Sequence, residues 1–319
     1  MKRFLLNITL FFLIFIGLTS ILWYSGNSII SSKGNFIFDK NIRYLLIGHS
    51  HPQCAVNDSL IPGLKNIANS GEGYFYNYIK LKKVLSQNQQ INTVFIEFTN
   101  NHIDTLMDTW TWGETYTARY SFLFPFLSAE DHKLLIKNNP KGYVTTIPDV
   151  LKSNLLHITG NDFDFTDEIG GYRRITENRV DSLLKGVDKK SKLSIEKEYP
   201  TSKVSLKYLK KIITLCVEND KNVFLIRSPQ HPELPIKFNE NHFKKIRKDS
   251  FTEVPFLDFT DFPVKSTQFA DLEHLNYKGA FSFSLSIKRL LENGLLDATN
   301  KEGFADSLTK RENLLPENP

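Results

Sequence analysis

Three residues from opposite ends of the chain have the types and spacing for acyl transfer. Ser50 stands in Gly48-His49-Ser50-His51, and Asp271 precedes His274 by three residues. A serine hydroxyl is a weak nucleophile until a neighbouring base takes its proton. A carboxylate three residues before an imidazole can fold back on the ring, fix its tautomer and stabilise its protonated form. Gly48 lets the chain turn sharply and present Ser50, whose own N–H can then face a developing oxyanion. Asn276 follows as a candidate helix cap, and helix entry there would hold the imidazole rigidly.

The elements that must position these groups are strand ends. Residues 42–47 form a short, nearly continuous apolar run, the pattern of a strand buried on both faces. Residues 65–69, 93–98, 222–226 and 254–258 read as further strands. Between them lie helical patterns: Tyr74, Tyr78, Leu81 and Leu85 share one face. A second helix, capped by Ser202, presents Leu206, Leu209, Ile213, Cys216 and Val217. Two more cover 239–248 and about 278–291. Strands alternating with amphipathic helices indicate an α/β fold with a parallel sheet covered on both faces. Ligands of such sheets bind beyond the carboxyl ends of the strands. Each cluster named above follows a strand directly.

At these residues the chain resembles the SGNH (GDSL-like) hydrolases, and more closely their envelope acyltransferase and D-alanylation-protein branch. The Gly-Asp-Ser block of that family corresponds to Gly48-His49-Ser50, and its Asn-x-Gly turn to Asn69-Ser70-Gly71. Its Gly-x-Asn-Asp block corresponds to Phe98-Thr99-Asn100-Asn101, and its Asp-x-x-His block is intact as Asp271-Leu272-Glu273-His274. The resemblance implies a flavodoxin-like three-layer sandwich. It casts Ser50 as nucleophile, His274 as base and Asp271 as its orienter, with an oxyanion hole from Ser50 N–H, Gly71 N–H and the Asn100 amide. Two positions depart from the family: His49 replaces an aspartate and Phe98 a glycine. The resemblance covers about 42–100 and 203–292, and it implies no cofactor.

The same residues carry a rival chemistry. Gly48-His49-Ser50-His51 also looks like the Gly-His-x-His block of metallophosphoesterases, but that block closes its domain and follows other metal-binding blocks that this chain lacks. No metal is therefore expected. His49 and His51 read as polar turn residues at the mouth of the pocket. His231, in a proline-rich loop after a strand, either lines the pocket or only shapes that loop. His102 and Asp104 read as rim residues. Asp162, Asp164, Asp167 and Glu168 lack the glycine and terminal glutamate of a calcium loop. Trp110, Trp112, Tyr116 and Tyr120 read as anchors of an insertion rather than a stacking platform.

The 319 residues carry 40 basic and 35 acidic side chains, a formal charge of +5. The lysines (Lys80, Lys82 and Lys83; Lys189, Lys190 and Lys192) are scattered without interleaved aromatics, which describes a solvated surface and not a nucleic-acid site. Cys54, near the serine turn, and Cys216, on a helix face, read as free thiols. Lys2 and Arg3 precede an apolar stretch over 4–24, long enough to cross a bilayer. It ends on bulky residues, which favours an uncleaved anchor over a cleaved signal peptide.

The expected organisation is therefore a membrane segment over 1–25, a flexible linker over 26–40, and an α/β domain over 41–293. That domain carries an insertion at about 105–200, and a frayed polar tail follows at 294–319. The expected function is that of a single-pass membrane protein with an extracytoplasmic serine esterase or O-acyltransferase acting on acyl esters, envelope polysaccharide among them. The alternative is a non-catalytic relative that binds or assembles envelope material. Protein partners are not legible.

Overall fold

The computed structural model describes residues 1–186, 200–234 and 240–312; Lys189, Lys190 and Lys192 lie outside them. In chain order the helices are α1 (Lys2–Lys33), α2 (Ser50–Ala55), α3 (Tyr74–Gln87), α4 (Asp108–Trp112), α5 (Glu114–Arg119) and α6 (Ala129–Asn138). They continue as α7 (Pro140–Gly160), α8 (Val180–Gly186), α9 (Lys203–Glu218), α10 (Glu240–Ser250), α11 (Tyr277–Glu292) and α12 (Lys301–Glu312). The strands are β1 (Tyr44–Ile47), β2 (Leu64–Asn66), β3 (Thr93–Glu97), β4 (Asn222–Arg227) and β5 (Phe256–Asp258), each within a few residues of its sequence expectation. The chain forms two units, one from residues 1–36 and 111–165, the other from 37–110 and 166–319.

The second unit is built on the sheet. Its five strands are all parallel, in the order β2-β1-β3-β4-β5. Sequence order reverses between β1 and β3, so the connections leave in opposite directions there and open a crevice at the carboxyl ends. One sheet face presents Leu46, Phe95, Phe224, Ile226 and Leu257 to Phe283, Ile287 and Leu290 of α11. Alternate strand residues such as Leu45, Val94 and Leu225 point the other way, and α9 packs on β4. The buried stripe of α9 is Tyr208, Leu209, Ile212 and Cys216, with Val217 exposed. The expected stripe was thus rotated by part of a turn. Cys54 and Cys216 are free and buried.

Residues 301–312, expected to fray, form α12. Glu302 accepts the Phe256 N–H at 2.7 Å and pairs with Arg247 at 2.8 Å, while Ala305 is buried. The helix thereby satisfies a donor of edge strand β5 that would otherwise invite pairing.

The first unit contains a second departure. The expected linker is helical to Lys33, and α1 runs unbroken for 32 residues. Its last turns are not a tether, because they pack. Trp23 meets Phe124 and Tyr143 edge-on or tilted, Ile30 is buried, and the Asn154 amide donates to Asn27 at 2.7 Å. Gly26 leaves room for Asn154, whose Nδ2 would stand 3.2 Å from an added Cβ. Of the four aromatics expected to anchor the insertion, Tyr120 is buried in this unit, whereas Trp110 belongs to the second. The first turns of α1 differ in kind, with Phe4, Phe11, Leu13, Phe15 and Leu22 exposed. Among the described residues α1 is the one helix long and apolar enough to cross a membrane.

Candidate active site

At the end of β1 the chain turns through Gly48 into α2, and Ser50 is the first residue of that helix. Its N–H therefore has no acceptor within the helix. Gly48 is required by a close approach: a Cβ there would fall 2.5 Å from both Cβ and Oε2 of Glu97.

His274 arrives from the far end of the sheet on a tightly held loop. His274 Nε2 lies 2.8 Å from Ser50 Oγ, and its Nδ1 lies 2.9 and 3.0 Å from the two oxygens of Asp271. Asp271 Oδ1 also accepts the backbone N–H groups of Glu273 and His274, each at 2.8 Å. Burial would raise the Asp271 carboxyl, but these bonds and the His274 ring outweigh it and hold it at about 2. Asn276 caps α11 by accepting from Lys278 and Gly279, and its amide donates to Thr267 and Phe269. One side chain thus fixes both the loop and the helix that follows it.

Gly71 lies in the turn after β2 with φ +71°, where the Glu72 N–H donates to the Asn69 carbonyl. Gln53 of α2 accepts from Ser70 N–H and Oγ–H, which ties that turn to the serine helix. Asn100 follows β3 and is buried. All three donors assigned by resemblance therefore stand on segments leaving the carboxyl ends of β1, β2 and β3.

His49 and His51 are buried and do not stand at the pocket mouth. The reason is Glu97, at the end of β3, which draws both rings inward. Its Oε2 accepts the His49 N–H at 2.6 Å, and its Oε1 faces His49 Nε2 at 3.4 Å and His51 Nδ1 at 3.3 Å. On its other side His51 Nε2 meets Glu273 at 3.8 Å. Burial pulls the His51 ring down, yet Glu273 and Glu97 lift it to about 9. His49 has the opposite balance: burial, then the rings of His51, His102 and His274, keep it well below the ordinary imidazole value.

His102 and Asp104 are likewise buried, not on a rim. The His102 ring stacks on Tyr74 at 3.8 Å and meets His49 edge-on at 4.6 Å, and burial pushes it down to about 3. Trp110 closes over His49 at 5.6 Å. Phe98, where the resembled block has glycine, packs into the core against Phe243, Phe251 and Phe256. His231 uses both ring nitrogens away from the serine, on Ser266 Oγ at 2.9 Å and Glu233 N–H at 3.1 Å. Its own N–H donates to Leu272, so it shapes the loop that carries Asp271.

Lys80 departs furthest from expectation. Expected on a solvated surface, it is fully buried. Its Nζ donates to Ile67 and Ile169 carbonyls at 2.5 and 2.8 Å and to Glu72 at 2.8 Å, bracing the turn that carries Gly71. Its place four residues after Tyr76 and four before Val84, both buried, was the available signal.

A model of an uncharacterised protein family matches residues 174–296, a span that contains Asp271 and His274 but not Ser50. Comparison with curated proteins gives no match.

Proposed function

We propose that the second unit is a serine esterase or O-acyltransferase of the SGNH type, its five-stranded sheet being the flavodoxin-like one of that family. The observation that carries this reading is the relay Ser50 Oγ–His274 Nε2 at 2.8 Å with His274 Nδ1–Asp271 at 2.9 Å. Ser50 Oγ attacks an ester carbonyl as His274 Nε2 takes its proton, and Ser50 N–H, Gly71 N–H and the Asn100 amide receive the oxyanion. Collapse expels the alcohol, which leaves with the proton from His274, and an acyl-Ser50 remains. Water or a glycan hydroxyl, deprotonated by His274, then takes the acyl group. Asp271 stays ionised throughout and holds the ring in the tautomer that faces the serine.

In this reading α1 spans the membrane and the basic pair Lys2 and Arg3 keeps its start in the cytoplasm. The catalytic unit then lies outside, where envelope polysaccharide is the substrate class. His49 and Phe98, which depart from the family's blocks, favour a second reading, a non-catalytic binding relative.

The test is hydrolysis of p-nitrophenyl acetate and labelling by a fluorophosphonate, using the full chain purified in detergent. Wild type is expected to label at Ser50. Ser50→Ala and His274→Ala are expected to lose at least a ~1,000-fold rate advantage. Absence of both hydrolysis and labelling in a folded wild type would replace the enzyme reading with the binding one.

A further inference from the structure

Behind the serine lies a group of polar atoms that the protein itself leaves unfilled. His49 Nε2, His51 Nδ1, Glu97 Oε1 and both ring nitrogens of His102 are buried without a hydrogen bond of good geometry; what they have are looser contacts, His49 with Asn101, His51 with Glu97 and His102 with the Glu72 backbone. A buried polar atom so placed is costly unless something meets it. One ligand atom each from His49, Glu97 and His102 falls within 4.8 Å of the others.

The His49–Glu97 edge of this group has the spacing of two ligands on one ion. A charge-assisted bond between imidazole and carboxylate settles at about 2.7–2.9 Å. Here His49 Nε2 and Glu97 Oε1 stand 3.4 Å apart, and His51 Nδ1 and the same oxygen 3.3 Å. Ligands held about 2.0–2.1 Å from a tetrahedral ion are separated by about 3.3–3.4 Å. The donors are two imidazoles and one carboxylate, a set suited to zinc and its divalent transition-metal neighbours and not to calcium. Glu97 is already oriented, because its Oε2 is committed to the His49 N–H. The His102 ring is fixed by Tyr74. The bond from His51 N–H to His49 Nδ1 is long at 3.4 Å, and Ser50 Oγ lies 3.5 Å from the same nitrogen. The His49 tautomer is therefore set by whatever Nε2 meets.

We infer that His49, Glu97 and His102 form a binding site for one divalent transition-metal ion, zinc in class, that locks the serine turn from behind. Water supplies the remaining position. The ion takes no part in the acyl transfer proposed above, and the site stands whether or not Ser50 is a nucleophile.

The test is metal analysis of the full chain purified without chelator, followed by chelation and return of zinc or cobalt. About one equivalent per chain is expected, with a rise in Tm when the ion returns. The cobalt form is expected to show d–d bands in the visible region without a thiolate charge-transfer band. His102→Ala and Glu97→Gln should each retain at least ~10-fold less metal, with fluorophosphonate labelling followed in parallel as a separate readout. Failure to take up zinc, cobalt, manganese or iron(II) would overturn the inference, as would full metal content in either variant. Should the variants fail to fold, the cobalt spectrum of wild type decides, because a thiolate band would place the ion at Cys54 or Cys216 instead.

Discussion

Two buried corners brace the turns around Ser50, and they are finished differently. At one, the Lys80 ammonium is surrounded by the Ile67 and Ile169 carbonyls and Glu72. At the other, Glu97 and the three histidines around it leave nitrogen and oxygen atoms facing one another at distances too long for good bonds. Asp271 and His274 belong with the first kind, since each interacting atom of that pair is met. At the first corner Glu72 Oε1 is met by the Lys80 ammonium at 2.7 Å, a closer contact than either histidine gives Glu97 Oε1. The long contacts at Glu97 are the ones that the proposed ion would replace.

Removing a partner from a finished corner should be costly, and that sharpens the contrast. The largest effect is expected for Asp271→Asn, which keeps the shape but offers His274 the wrong hydrogen-bonding pattern. Turnover of an activated ester should fall about 10,000-fold. A kcat within tenfold of wild type would show that Asp271 does not orient the ring. Next comes Lys80→Met, which strands Glu72 as a buried unpaired charge and should cost about 3–5 kcal/mol in urea unfolding. Adding Glu72→Gln should recover part of that loss. If the double variant is no better than the single, the Lys80 corner is not held by its charge.

The smallest effect is on pH dependence. Asp271 is held at about 2 in the folded chain, below its ordinary 3.8. A depressed carboxyl adds stability that is present above its unfolded value and lost as pH falls through the folded one. The stability gap between wild type and Asp271→Asn should therefore close as the solution is acidified from 3.8 towards 2. A gap that stays constant over that range would detach the acid response from this residue.

Periodicity and residue type made the frame and the outward half of the site legible. Five strands, the caps at Ser202 and Asn276, and the spacing of Asp271 and His274 all follow local rules that a single sequence expresses. The inward half did not yield to such rules. Glu97 is the lone charge in an apolar strand, which marks it as unusual, but its partners His49 and His102 come from other segments. Their convergence depends on the β1–β3 register, Tyr44 beside Thr93 and Ile47 beside Ile96. The burial of Lys80 depends on acceptors from distant segments that its residue type does not signal, and α12 is masked by polar composition. What covers an edge strand is decided by tertiary contact, here through Glu302.

The unbroken course of α1 has a mechanical consequence. Its 32 residues amount to a rod of roughly 48 Å at ~1.5 Å per residue. The far turns of that rod are bolted to α7 through Trp23, Gly26 and Asn27. With no swivel along its length, any tilt imposed on the apolar half passes undiminished to the unit at the other end. In the membrane-spanning reading proposed above, the helix is a lever and not a leash: bilayer thickness, by setting its lean, would set the attitude of the first unit as well.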